Sequence, residues 1–283
     1  MDKTKKRKAI GLMAGIIFVI SLFLCLMRTD GGGHHETIQE VMRDAVLHEH
    51  NRIDLFGLVT VNPGLVSGFI VTGVLLLAAL LIRIFAIPKF RMVPGRFQLV
   101  VEEVVGVFTR MAKENSHHRN RFLGAYIFVA GVFIFSGTIF ELFGVQVVTT
   151  AGYPMSLPAP FSDINGAIMM GCLTYLVLLS GGIASNGISG VGATLKEFSL
   201  PISMSFRLFG ALLSGALVTE LVYYYVHLSV VLPVLVGVLF TLLHAVIQAY
   251  VLTMLAALFY GEISEPKKSH KRQVPNRSYN GGN

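Results

Sequence analysis

Arg207 sits in SFRLFGALLSG (205–215), with no carboxylate between Glu197 and Glu220. A guanidinium keeps its proton throughout the physiological pH range. At membrane depth such a group costs roughly 2.5–3.5 kcal/mol on insertion scales, and more on an isolated helix. It needs a carboxylate, a carbonyl cluster or water. In the next apolar stretch, His244 and Gln248 stand one helical turn apart, and Thr241 lies three residues before His244. Interhelical hydrogen bonding explains such a polar stripe as readily as ion handling does. Glu220 lies toward the far end of the Arg207 segment and is followed by Tyr223, Tyr224, Tyr225 and His227. An interfacial aromatic belt accounts for the tyrosines. Glu141 and Asp163 fall at span ends on the same side as Glu220. Titratable groups pass protons, and a fixed cation blocks a straight leak. The set fits ion passage along an aqueous half-path.

Ser203, Ser205, Gly210, Ala211, Ser214, Gly215 and Ala216 surround the arginine. Small side chains let another helix come close. That helix could belong to this chain, or to another chain whose charge passes the guanidinium.

The elements that must hold these residues are membrane spans. The 283 residues are 53% hydrophobic and 14% charged, and the mean hydropathy is +0.67. A soluble domain carries about 25% charged residues. The composition implies an all-α polytopic membrane protein. A span needs about 20 mostly apolar residues. Residues 65–87, 122–143, 164–183, 198–226 and 231–260 qualify, the last two forming a long tilted hairpin. Residues 97–113 (FQLVVEEVVGVFTRMAK) place apolar positions at helical spacing with charges on the other face, as an interfacial helix does.

Residues 10–27 are a shorter apolar run after KTKKRK. That design fits a signal sequence or a retained helix; the lack of an A-x-A site favours the helix. Residues 1–28 thus read as a basic N-terminus with a hydrophobic signal or anchor, and 29–64 as an extracytoplasmic segment. Residues 65–262 read as the membrane domain, and 263–283 as a basic, disordered tail. His34, His35, His48 and His50 lie in the 29–64 segment. Without cysteines, such pairs suggest solvated loop histidines more than a metal site.

If all six apolar runs cross the membrane, nineteen of the 23 Lys and Arg residues fall on one side. Three, Arg28, Arg43 and Arg52, fall on the other, and Arg207 lies within a span. The positive-inside rule makes the richer side, including the C-terminus, cytoplasmic. The net charge of +7 is therefore topology, and no nucleic-acid motif accompanies it. Cys25 and Cys172 lie in apolar runs and suggest neither a disulfide framework nor a zinc site. There is no P-loop, dinucleotide fingerprint, nucleophile motif or internal repeat.

PISMSFRLFGALLSG (201–215), followed by LLHAVIQAYVLTMLAALF (242–259), resembles the last two helices of the ATP synthase subunit a family. VPGRFQLVVEEVVGVF (93–108), FSGTIFELFGV (135–145) and PFSDINGAI (160–168) resemble three further stretches of it, the last carrying a P-x-x-D-x-N opening with Asp163 and Asn165. The resemblance covers roughly residues 50–262.

It implies a non-catalytic, proton-translocating stator subunit of a bacterial F-type ATP synthase, without cofactor, in the inner (plasma) membrane. Its partners would be a rotating c-subunit ring on the Arg207 face, b-type peripheral stalk subunits and the rest of the complex. Arg207 matches the arginine that attracts each c-subunit carboxylate and separates two half-channels. Gln248 matches the glutamine that faces it, and Glu141 an acidic position at the outer channel mouth. Glu197 could line the cytoplasmic exit or serve only the helix start. The ring would choose between H+ and Na+.

The chain departs from the family pattern at three positions. Ala211 stands where members often have Asn, Ala216 where many have Glu or His, and Thr241 where the exchanging His or Glu usually sits. Glu220 and His244 are the candidate replacements. With Arg207 level with Gln248 in an antiparallel pair, they lie ~13 Å apart in level, too far for direct contact. An independent secondary transporter, or an anchor subunit that has lost translocation, are the competing readings.

Overall fold

The computed structural model describes residues 53–55, 59–116, 120–148, 154–224 and 232–265. The expected N-terminal signal or anchor, the histidines of 29–64 and nearly all of the basic tail lie outside these residues. Within them, the protein is an all-α membrane protein with seven α-helices and two small ribbons.

The first ribbon pairs β1 (Ile53–Leu55) with β2 (Val59–Val61), antiparallel, Asp54 opposite Thr60. Helix α1 (Pro63–Leu81) follows at once. Asn62 caps it, its side-chain oxygen accepting from the Gly64 N–H at 3.1 Å, and Pro63 supplies a pre-set φ where no donor is needed. The helix loosens through a π-turn at Ile82–Ala86 and a 3-10 turn at Ile87–Lys89. Pro88 cannot donate to the ladder or continue it.

Amphipathic α2 (Arg96–Asn115) leads to α3 (Asn120–Phe140) and a 3-10 turn at Glu141–Phe143. Gly144, at φ 56°, takes a left-handed conformation that turns the chain into β3 (Gln146–Val148). Strand β3 pairs antiparallel with β4 (Pro154–Ser156). A 3-10 turn at Pro160–Ser162 precedes α4 (Ile164–Asn186). Then come short α5 (Ile188–Lys196), α6 (Ser199–Tyr224) and α7 (Leu232–Ser264).

Among the described residues, five stretches are long and apolar enough to cross a membrane: Pro63–Lys89, Asn120–Phe143, Ile164–Asn186, Ser199–Val218 and Gly237–Ser264. They coincide with the five spans expected from the sequence. Helix α7 has 33 residues, or ~50 Å at 1.5 Å per residue. This exceeds the ~30 Å hydrocarbon thickness, so the helix must tilt or project.

Helix α3 packs most extensively on α7, and α4 on α6, while α4 also contacts α7. One core cluster joins Ala130 and Ile134 of α3, Met170 of α4, Leu200, Met204, Leu208 and Leu212 of α6, and Leu252 of α7. A second joins Met111 and Ala112 of α2 with Leu123, Ile127, Leu178, Ala257 and Tyr260. Five buried hydroxyls are satisfied locally. The hydroxyls of Thr138, Thr174, Thr194, Ser205 and Thr253 each donate to a carbonyl one turn back. Tyr126 and Thr174 hydrogen-bond between α3 and α4, at 2.7 Å.

Helix α7 continues past the expected boundary at 262, and Ile263 is buried. The Asn186 amide donates to the Ile263 carbonyl at 3.1 Å and to the Glu265 carbonyl at 2.9 Å. The carbonyls at the end of α7 thus gain a partner on α4.

Candidate functional site

Arg207 lies eight residues into α6, ~12 Å along its axis. Leu200, Met204, Leu208 and Leu212 recur every fourth residue and are buried. This stripe faces α4 and α7. Ser203 and Arg207, each just before a stripe residue, are exposed, as are Gly210 and Ser214. A β-carbon added to Gly210 would meet nothing within 4 Å. Arg207 therefore stands on an open, small-residue face. Among the described residues it has no hydrogen-bond or ion-pair partner; the ion pair there is Arg110–Glu103, at 2.6 Å on the surface of α2.

The back of α6 is held closely. A β-carbon on Gly171 of α4 would stand 2.6 Å from the Pro201 carbonyl oxygen and would also strike the Ser205 hydroxyl. The absence of a side chain at 171 is what lets α6 sit there.

On α7, Gln248 is buried, and among the described residues its Oε1 has no hydrogen-bond partner. His244 is half-buried and stacks on Phe240, ring centroids 6.0 Å apart. Its Nδ1 donates to the Phe240 carbonyl at 2.9 Å, because a carbonyl can only accept.

A β-carbon on Gly215 would lie 3.9 Å from His244 Nδ1, which sets the register of α6 against α7. Counting from that contact along an antiparallel pair, Gln248 is level with Ala211, roughly 6 Å from the level of Arg207. Glu220 then lies roughly 7–8 Å in level from His244. The ~13 Å expected from sequence assumed Arg207 level with Gln248, and the packing shifts the helices by about one turn. His244 thereby comes level with Gly215, beside Ala216. Glu220 lies on α6.

The remaining candidates sit elsewhere. Glu141 opens the 3-10 turn at the end of α3 and is exposed. Asp163 caps α4, its Oδ1 accepting from the Asn165 N–H at 3.1 Å and the Asn165 amide at 3.2 Å. Both line a cavity of about 410 Å³ with Gly64, Gly68, Phe133 and Pro160. Their contacts give them a capping role at the start of α4. Glu197 joins α5 to α6. Its N–H donates to Thr194 and its carbonyl accepts from Leu200, both at 3.0 Å. No group of three or more His, Cys, Asp and Glu among the described residues could hold a metal.

Comparison with known proteins decides the family. The profile of the family described as ATP synthase A chain matches residues 66–261, from the first turn of α1 almost to the end of α7.

The chain belongs to the ATP synthase A chain family.

It is 28% identical over 213 residues to the chloroplastic ATP synthase subunit a of Bigelowiella natans, covering 70% of this chain and 84% of that protein. The A chain is a membrane subunit of the ATP synthase complex, and this member is a multi-pass membrane protein. The resemblance read from SFRLFG and IQAY is thus shown. Sequence reasoning missed the Gly171–Pro201 contact that holds α6 in place. The only signal for it was a glycine inside an apolar run.

Proposed function

We propose that this chain is the proton-translocating stator subunit of an F-type ATP synthase. It would form two offset half-channels against a rotating c-ring, with Arg207 as the fixed charge between them. The carrying observation is the position of Arg207: a permanent cation, a third of the way along a membrane helix, exposed on a face of small residues. A carboxylate on another chain supplies the partner the arginine lacks in its own. Close approach across Ser203, Gly210 and Ser214 brings that carboxylate into a low-dielectric contact where the attraction is strong. As each ring carboxylate arrives, the guanidinium favours its ionised form and the proton leaves.

Gln248 is buried about one turn from the arginine's level, with an acceptor oxygen to spare. His244 is the group we assign to proton uptake, receiving protons from the Glu220 end of the pair. The register supports this, since His244 takes the level left apolar by Ala216. Glu141 serves the outer mouth and Glu197 the exit. The translocated ion is H+ by default, with Na+ use governed by the ring's own site. The b-type stalk subunits, a bacterial inner membrane and a cytoplasmic C-terminus complete the proposal.

The test is Arg207→Ala in reconstituted complexes. Loss of proton-driven ATP synthesis with normal assembly is expected. Unchanged coupled synthesis would sink the proposal.

A further inference from the structure

At the end of the first span the chain builds a basic cavity of about 530 Å³, lined by Lys89, Arg91, Arg96 and Gln98 with Phe90 and Phe97. Gln98 holds its wall together. Its Oε1 accepts from the Arg91 N–H at 3.0 Å, and its amide donates to the Arg91 carbonyl at 3.0 Å and to Glu102 at 2.7 Å. The polar backbone of the 91 loop is thus fixed to the first turn of α2.

The cationic heads are not paired with a carboxylate among the described residues. Glu102 is engaged by Gln98, and Glu103 by Arg110. Among the described residues Lys89, Arg91 and Arg96 have no ion-pair partner. Beside them, Met92 and Val93 are 102% and 84% exposed. Bare apolar tips next to bare cations, where a membrane span meets an amphipathic helix, fit the boundary between acyl chains and headgroups. A free phosphate would use the cations but leave Met92 and Val93 in water.

We propose that this cavity binds the phosphate-bearing headgroup of an anionic phospholipid, with Lys89, Arg91 and Arg96 around the phosphate and Met92 and Val93 among the acyl chains. The site is independent of the Arg207 face and of what that face meets.

Hydrogen exchange of the full-length chain in its complex tests it, in nanodiscs of phosphatidylcholine with and without phosphatidylglycerol. Phosphatidylglycerol should slow exchange across residues 90–98. Inorganic phosphate added to phosphatidylcholine discs should not. Each cation near an anionic surface is worth about a fivefold change in affinity, so Arg91→Gln with Arg96→Gln should raise the phosphatidylglycerol needed by about 25-fold. The double Arg→Lys variant should keep the charge and most of the protection. Lys113→Gln, further along α2, should have little effect.

Equal exchange in both lipids overturns the proposal, and this arm needs no variant to fold. Protection by inorganic phosphate alone overturns it in favour of a free-anion site. An equal loss from Lys113→Gln overturns it in favour of diffuse surface charge.

Discussion

Gly171 of α4 lies against the Pro201 carbonyl of α6, so closely that a β-carbon would stand 2.6 Å from the oxygen. The contact lies six residues, or ~9 Å along the axis, from Arg207. It fixes how far the arginine's helix stands from the core. Gly171→Ala must push α6 outward or tilt it. Overpacking of this kind costs about 1–3 kcal/mol. We expect a lower thermal midpoint and poorer assembly of the complex, measured on the purified protein.

Gly210 gives the opposite expectation. A β-carbon there meets nothing within 4 Å among the described residues. Gly210→Leu should leave the chain's thermal stability within about 0.5 kcal/mol, as surface changes usually do. On the proposed rotor face it should sharply reduce coupled ATP synthesis. Normal synthesis in Gly210→Leu complexes would argue that nothing approaches this face closely.

Gln248 separates stability from function. Its Oε1 is buried without a partner, and such a group costs about 1–3 kcal/mol. Gln248→Leu should therefore be neutral or stabilising in thermal unfolding while lowering proton flux. Destabilisation would show that the amide is a structural bond and not a spare acceptor.

The Tyr126–Thr174 bond should matter little by itself. Thr174 also donates to the Met170 carbonyl, at 2.8 Å, so removing the phenol leaves no orphaned hydroxyl. Tyr126→Phe should cost about 0.6 kcal/mol, the usual value for an interhelical bond in a membrane. Equilibrium unfolding in detergent measures it.

His244→Ala and Glu220→Gln, made separately, test the uptake path. Passive proton flux through complexes stripped of the catalytic sector is the readout. We expect His244→Ala to lower it strongly and Glu220→Gln to lower it partly. Full flux in both would move the path to Glu141 or another group at the outer mouth.

Much of this was legible in the sequence. Five apolar runs gave five spans, because a bilayer leaves so little freedom in what can cross it. The periodicity of 97–113 gave α2. Arg207 stood out because a permanent charge in an apolar run must have a use. Helix α5 was not legible: ISGVGATLK is glycine-rich and short, and it is held by packing on α4, where Gly190 meets the Gly182 backbone. The three-residue ribbons carry too few positions for a pattern. The register of α6 on α7 was misread by about one turn. It depends on Gly215 meeting His244, a tertiary contact that spacing within either helix does not encode. That Asp163 caps α4 through the Asn165 N–H was not legible either, since its place before an apolar run suits a channel acid and a helix cap alike.

Helix α7 is fastened at one end. Gly261 abuts the Asn115 carbonyl of α2, and Asn186 of α4 holds the carbonyls of Ile263 and Glu265. Toward its other end, Leu235, Val238, Leu239, Leu242, Leu243, Val246 and Ile247 are exposed. Mechanically this is a cantilever. A sideways load on the exposed half is carried as a bending moment into the packed half, from Ala245 and Leu252 to the end contacts at 261–265. The stiffness with which the half bearing His244 resists a moving neighbour therefore depends on packing further along the helix, by residues that take no part in proton chemistry.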